Sequence, residues 1–149
     1  DVILLHENEK GIYGDSIKRC KKLMENFYGE HFQGVFDFAN FVQCDEDTYE
    51  AYQELVPYIT YYHIKDAVKQ THEVVPPGLG DGKLQEIIKL VLESGYDGFF
   101  SMEPHLADFA GLSSLELEYQ EKSMTDGIKA YRLAYEYFHN LLKEVQIGN

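Results

Sequence analysis

Positive charge is scarce: 13 lysines and arginines stand against 26 aspartates and glutamates, a formal net charge of -13. Such a surface repels phosphate backbones, which argues against a nucleic-acid binder unless a local basic cleft exists, and favours small ligands. Cysteine is scarce too. Cys20 and Cys44 are the only two and form no metal or redox spacing, so two reduced thiols without an assigned role are expected. No apolar run approaches the ~18 residues needed to cross a bilayer, and no signal peptide is read. The expected location is therefore cytoplasmic. The sequence also lacks low-complexity tracts, interdomain linkers and a phosphate-cradling P-loop; "GLGDG" reads as a turn.

What is present suits one compact core. With 149 residues, 44% of them hydrophobic, a single domain over 1–149 is expected. There is no initiator Met, and Asp1 is followed at once by Val2, Ile3, Leu4 and Leu5, the pattern of a short buried strand, so the chain is expected to be a fragment. Strand and helix signals alternate four times, with strands over 2–7, 34–37, 59–64 and 98–103. Between them run helical stripes: Ile17, Cys20, Met24 and Phe27; Tyr49, Tyr52 and Val56; Leu84, Ile87, Ile88 and Val91. A last and longest helix carries Met124, Ile128, Tyr131, Tyr135, Phe138 and Leu142 on its expected core face. Asp15 and Ser16 offer a cap for the first helix, Asp47 and Thr48 for the second. Such alternation implies parallel strands joined by right-handed crossovers, and four units make half of a (β/α)8 barrel.

Side chains two apart on a strand share a face. Ile3, Leu5 and Glu7 lie together, as do Val35 and Asp37, Ile59, Tyr61 and His63, and Phe99, Ser101 and Glu103. Each strand thus ends in one polar residue, and in a barrel Glu7, Asp37, His63 and Glu103 converge at the C-terminal rim. Three carboxylates and an imidazole suit Mn, Mg, Co or Zn as the divalent metal. Without a cation, three carboxylates so close cost several kcal/mol in repulsion or become protonated.

The stretches "LLHEN", "GVFDFANF", "YYHIKDA", "VVPPGLGDG" and "FFSMEPH", in this order, resemble the C-terminal half of the sugar phosphate isomerase/epimerase family, the xylose-isomerase-like TIM barrels. The resemblance runs from about residue 2 to about residue 110. It implies an α/β fold, the C-terminal half of a (β/α)8 TIM barrel, comprising strands five to eight and their helices. The resemblance further implies that Glu7, Asp37, His63 and Glu103 take the metal-ligand positions, and that Glu7 and Glu103 match the glutamates that in epimerase members act as the acid/base pair on opposite sides of a bound ketose. Asn40, Lys69 and His105 are candidates for substrate contact, and Asp66 for orienting His63 or its loop. His6, His31, His72 and His139 receive no role.

Two departures weaken a ketose-epimerase assignment: Leu79 stands where relatives often have an acid in the glycine loop, and Tyr13 where some epimerases have one. The expected activity is metal-dependent isomerisation or epimerisation of a ketose, sugar phosphate or polyol-derived ketone through an enediolate. The alternatives are an inosose-type dehydratase, a zinc endonuclease of the same superfamily and a non-catalytic metal-binding half barrel. The expected partner is a small sugar or sugar phosphate, with no nucleic acid or membrane. The open sheet edges of a half barrel further predict a homo-oligomer, with a dimer expected.

Overall fold

The computed structural model describes residues 2–107 and 126–147. Its frame is a four-stranded sheet of β1 (Leu4–Glu7), β2 (Phe32–Asp37), β3 (Ile59–Ile64) and β6 (Phe99–Met102), in that spatial order and parallel throughout. The helices are α1 (Ile17–Phe27), α2 (Phe38–Gln43), α3 (Thr48–Leu55), α4 (Leu84–Glu93) and α5 (Gly127–Ile147), and a two-stranded hairpin pairs β4 (Asp66–Ala67) with β5 (Val74–Val75). This is a partial α/β barrel, as the alternation of strand and helix signals implies. Among the described residues no helix is long and apolar enough to cross a membrane.

The core lies between the outer sheet face and the helices. Phe36, from β2, is fully buried and packs edge-on against Phe38, with Phe41, Tyr52 and Tyr62 around it. Leu84, Ile87, Ile88 and Val91 are all buried, as the three-and-four spacing of α4 predicts. Asp47 caps α3 by accepting from the backbone N–H groups of Tyr49 and Glu50. The expected cap of α1 takes another form: Ser16 occupies the cap position without a side-chain bond, while Asp15 pairs with Arg19 one turn later. Cys20 is buried and Cys44 half-buried, and neither forms a disulfide; the Cys20 thiol donates to the Gly14 carbonyl at 3.1 Å. Burial pushes Cys20 up to about 12 and Cys44 up to about 11, so neither is a ready nucleophile.

Three expectations of burial fail. The run 2–7 reads as a buried strand, yet Leu4 is 63% exposed and Val2, Ile3 and Leu5 are exposed with it. β1 is a sheet edge paired only to β2, and Phe99, on the opposite edge strand, is 73% exposed. On α5 the buried residues are Ala130, Ala134, Phe138, Leu141 and Val145, while the expected face residues Ile128, Tyr131 and Tyr135 are exposed. The alanines let α5 approach Val74, Leu106 and Ala107, which turns the tyrosines toward the open β6 edge. Phe27, expected on the α1 core stripe, is likewise exposed. Met124 lies outside the described residues.

Candidate metal centre

Strand register carries the candidate ligands to one rim. Asp37 is opposite His63 across the β2–β3 ladder, and Glu7 closes β1 opposite Val35. Glu103 follows β6 directly, and its N–H donates to the Ile64 carbonyl at 3.1 Å, so the ladder holds it in line. One ligand atom from each of Glu7, Asp37, His63 and Glu103 can be chosen so that all lie within 4.8 Å of one another. His63 Nδ1 lies 3.0 Å from Glu7 Oε1, 3.8 Å from Glu103 Oε2 and 4.0 Å from Asp37 Oδ2.

Asp37 is the most deeply placed of the four, fully buried, with its Oδ1 accepting the Asn40 N–H at 2.8 Å and thereby capping α2. Its Oδ2 accepts no hydrogen bond of good geometry and has Lys65 Nζ at 3.1 Å. Burial pushes the Asp37 carboxyl up to about 6, against the pull of Lys65 and the Asn40 N–H. For His63, burial works against the charged form, but Glu7 first, then Glu103 and Asp37, outweigh it and raise the imidazole. Burial similarly raises Glu103, and Lys65, then His63 and His105, reverse the effect and hold it below the usual carboxylate range. A buried carboxylate oxygen without a hydrogen bond, within reach of two more carboxylates and an imidazole, matches the donor set of a hard or borderline divalent cation.

The supporting contacts differ from those the sequence suggests. Asn8 clamps Asp37 through both main-chain groups: its Nδ2 donates to the Asp37 carbonyl at 2.9 Å and its Oδ1 accepts the Asp37 N–H at 2.8 Å. Asn40, expected at the substrate, is 1% exposed, and its Nδ2 faces Glu7 Oε1, the Asn8 carbonyl and Glu9 Oε2. Asn40 therefore holds the β1 end in place. Asp66, expected to orient His63 or its loop, makes its contacts with loop main chain. Its carboxylate accepts four backbone N–H groups, from Ala67, Gly78, Gly80 and Gly82, at 2.9 to 3.0 Å, and so anchors the glycine loop.

Gly80 and Gly82 are required there, because a Cβ on either would meet the Asp66 carboxylate at 2.5 or 2.6 Å. Lys69 is exposed, and its ammonium bonds the Asp45 carbonyl rather than any rim residue. His105 does come near, with Nε2 4.0 Å from Glu103 Oε2 and a left-handed backbone, φ 43°.

Lys65 and Asn8 escaped the sequence reading. Strand alternation does place Lys65 on the face of His63, which is the signal that could have found it. Nothing in local sequence marks Asn8, since its partner lies 29 residues away.

Half of a parallel α/β barrel with an acid and imidazole cluster at the C-terminal ends of its strands defines a class: a barrel scaffold carrying a candidate metal site at its rim. More narrowly, the chain belongs to the xylose isomerase-like TIM barrel family, whose model matches residues 1–133. Among solved structures, an L-ribulose 3-epimerase superposes with a TM-score of 0.75 at 16% identity, covering 99% of this chain and 49% of that one. A xylose isomerase-like TIM barrel protein from Mycobacterium smegmatis in complex with magnesium gives 0.64 at 20% identity, covering 96% and 44%. The probable 3-DHS dehydratase AsbF from Bacillus anthracis gives 0.57 at 21% identity, covering 68% and 42%. At these identities the likeness establishes the fold. The chain spans about half the length of the solved structures it matches. No curated protein matches the sequence.

Proposed function

We propose that this chain supplies the metal-binding half, strands five to eight, of a barrel that isomerises or epimerises a ketose, sugar phosphate or polyol-derived ketone. The observation that carries this reading is the gathering of Glu7, Asp37, His63 and Glu103 within 4.8 Å. These four residues would hold a divalent cation, which supplies Lewis-acid stabilisation to the enediolate that deprotonation of the substrate produces. Glu7 and Glu103 reach the rim from opposite edge strands, a placement suited to one removing a proton and the other returning one to the opposite face. Lys65 keeps Glu103 ionised for that exchange, and Asn40 holds Glu7. His105, close to Glu103, is the best placed of the expected substrate contacts; Asn40 is buried with its Nδ2 on Glu7 and the Asn8 carbonyl, and Lys69 bonds the Asp45 carbonyl.

The test is solvent deuterium exchange at the carbon next to the carbonyl of a ketopentose or ketohexose, followed by NMR with the complete barrel and Mn²⁺. Glu7→Gln and Glu103→Gln should each abolish exchange, and full exchange in both variants would exclude this chemistry. A dehydratase would use the same first proton abstraction. Tyr13, standing where some epimerases carry an acid, favours keeping that reading, and loss of water from the substrate, giving a product lighter by one water, distinguishes it.

The exposed edge residues Leu4, Leu5 and Phe99, and the groove between β6 and α5 lined by Tyr61, Tyr131, Tyr135 and Leu142, support self-association of the isolated chain. A monodisperse monomer at micromolar concentration on a sizing column would refute it. The free thiols of Cys20 and Cys44 support the cytoplasm as its location.

A further inference from the structure

We propose that Lys65 is the resident counter-charge of the rim cluster and restricts it to one divalent ion, an inference that rests on the metal-site reading above. Lys65 is fixed. Its side chain is 1% exposed, and its ammonium lies 3.1 Å from Asp37 Oδ2 and 3.1 Å from Glu103 Oε2. Two surface lysine pairs are of a different kind: Lys83 with Asp47 and Lys89 with Glu93 are solvent-exposed at both ends.

Charge balance is the first half of the argument. Glu7, Asp37 and Glu103 bring three negative charges, and Lys65 returns one positive charge, leaving two for a single divalent ion to neutralise. A second divalent ion would leave the cluster with a net double positive charge, which the buried surroundings of Asp37 and Lys65 penalise.

Position is the second half. Two-metal sites set their ions about 3.5–4 Å apart and share carboxylates between them. Two of the three carboxylates that a second ion could share are Asp37 and Glu103, and the Lys65 ammonium already bridges them. The position between those two carboxylates, and the charge a second cation would bring to it, are therefore both taken by a covalently tethered one.

Mn²⁺ titration of the 149-residue chain by calorimetry and EPR tests this, counting the ions lost when His63→Ala removes the imidazole. The unmodified protein should bind one equivalent, Lys65→Met two with a dipolar-broadened EPR signal, and Lys65→Arg one. A single equivalent in Lys65→Met, with one in the unmodified protein, overturns the role of Lys65 and leaves the metal site standing. Should Lys65→Met fail to fold, the unmodified protein still decides: a second Mn²⁺ bound within tenfold of the first overturns the proposal. No Mn²⁺ bound by the unmodified protein removes the metal reading and this inference together.

Discussion

Asp37 and Asp66 are both fully buried aspartates near the C-terminal ends of neighbouring strands, and they are treated in opposite ways. Asp66 is saturated, with two backbone N–H groups on each carboxylate oxygen. Asp37 has one N–H on Oδ1 and only the Lys65 ammonium beside Oδ2. Burial raises both carboxyls, but every bond of Asp66 goes to the chain's own loop, which leaves it nothing to offer a ligand. Asp37 Oδ2, facing the Lys65 ammonium instead of main-chain N–H groups and in contact range of other ligand atoms, is what separates a candidate site from an anchor. The two regions share burial and charge and differ in whether the protein itself completes the coordination.

The comparison breaks first at Asp66. Asp66→Ala strands four N–H donors and should cost about 3–5 kcal/mol in urea denaturation, the scale of breaking a buried charged network. A loss under about 1 kcal/mol would mean the glycine loop stands without its anchor. Glu7→Gln should do the reverse, lowering Mn²⁺ affinity in calorimetry by at least about tenfold, the lower end of what even supporting residues contribute. Its effect on folding stability should stay within about 0.5 kcal/mol, because Glu7 is only partly buried.

Asn8→Ala tests the rim between those extremes. It removes both bonds to the Asp37 main chain, so a stability loss of about 1–2 kcal/mol is expected together with weaker Mn²⁺ binding. Stability lost with unchanged affinity would show that the Asp37 carboxylate needs no main-chain clamp.

The smallest effect is expected far from the rim. Lys83 foremost, then the Glu50 N–H, holds the Asp47 carboxyl below its ordinary 3.8. A carboxyl lowered in the folded state stabilises above its unfolded value and loses that contribution as pH falls through the folded one. Asp47→Ala should therefore cost about 1 kcal/mol at pH 7, the usual worth of an N-cap. The gap to the unmodified protein should close below pH 3.8 in denaturation curves, and salt should narrow it at neutral pH.

Much of the frame was legible in the chain. The four strands fell where alternation placed them, β3 with both ends as expected, because a two-residue period is a local property of extended backbone. The short α2 and the β4–β5 hairpin were not legible. Asp37 serves as the cap of α2 while also ending a strand, so its sequence signal was absorbed by the strand. The hairpin is two residues on each side, too short for any period to register. On α5 the tyrosines outweighed the alanines in apolar size, yet small residues are what allow a helix to approach its neighbours closely.

The sequence alone determined that each main strand would deliver one ligand-type side chain to a common rim, since strand period and parallel crossovers follow from local geometry and chirality. Only the tertiary structure decided where the remaining charges go. Lys65 meets a glutamate 38 residues on, and Asp66 meets a glycine 16 residues on. Electrostatic and hydrogen-bond partners are chosen by proximity through space, which no local period of the chain encodes.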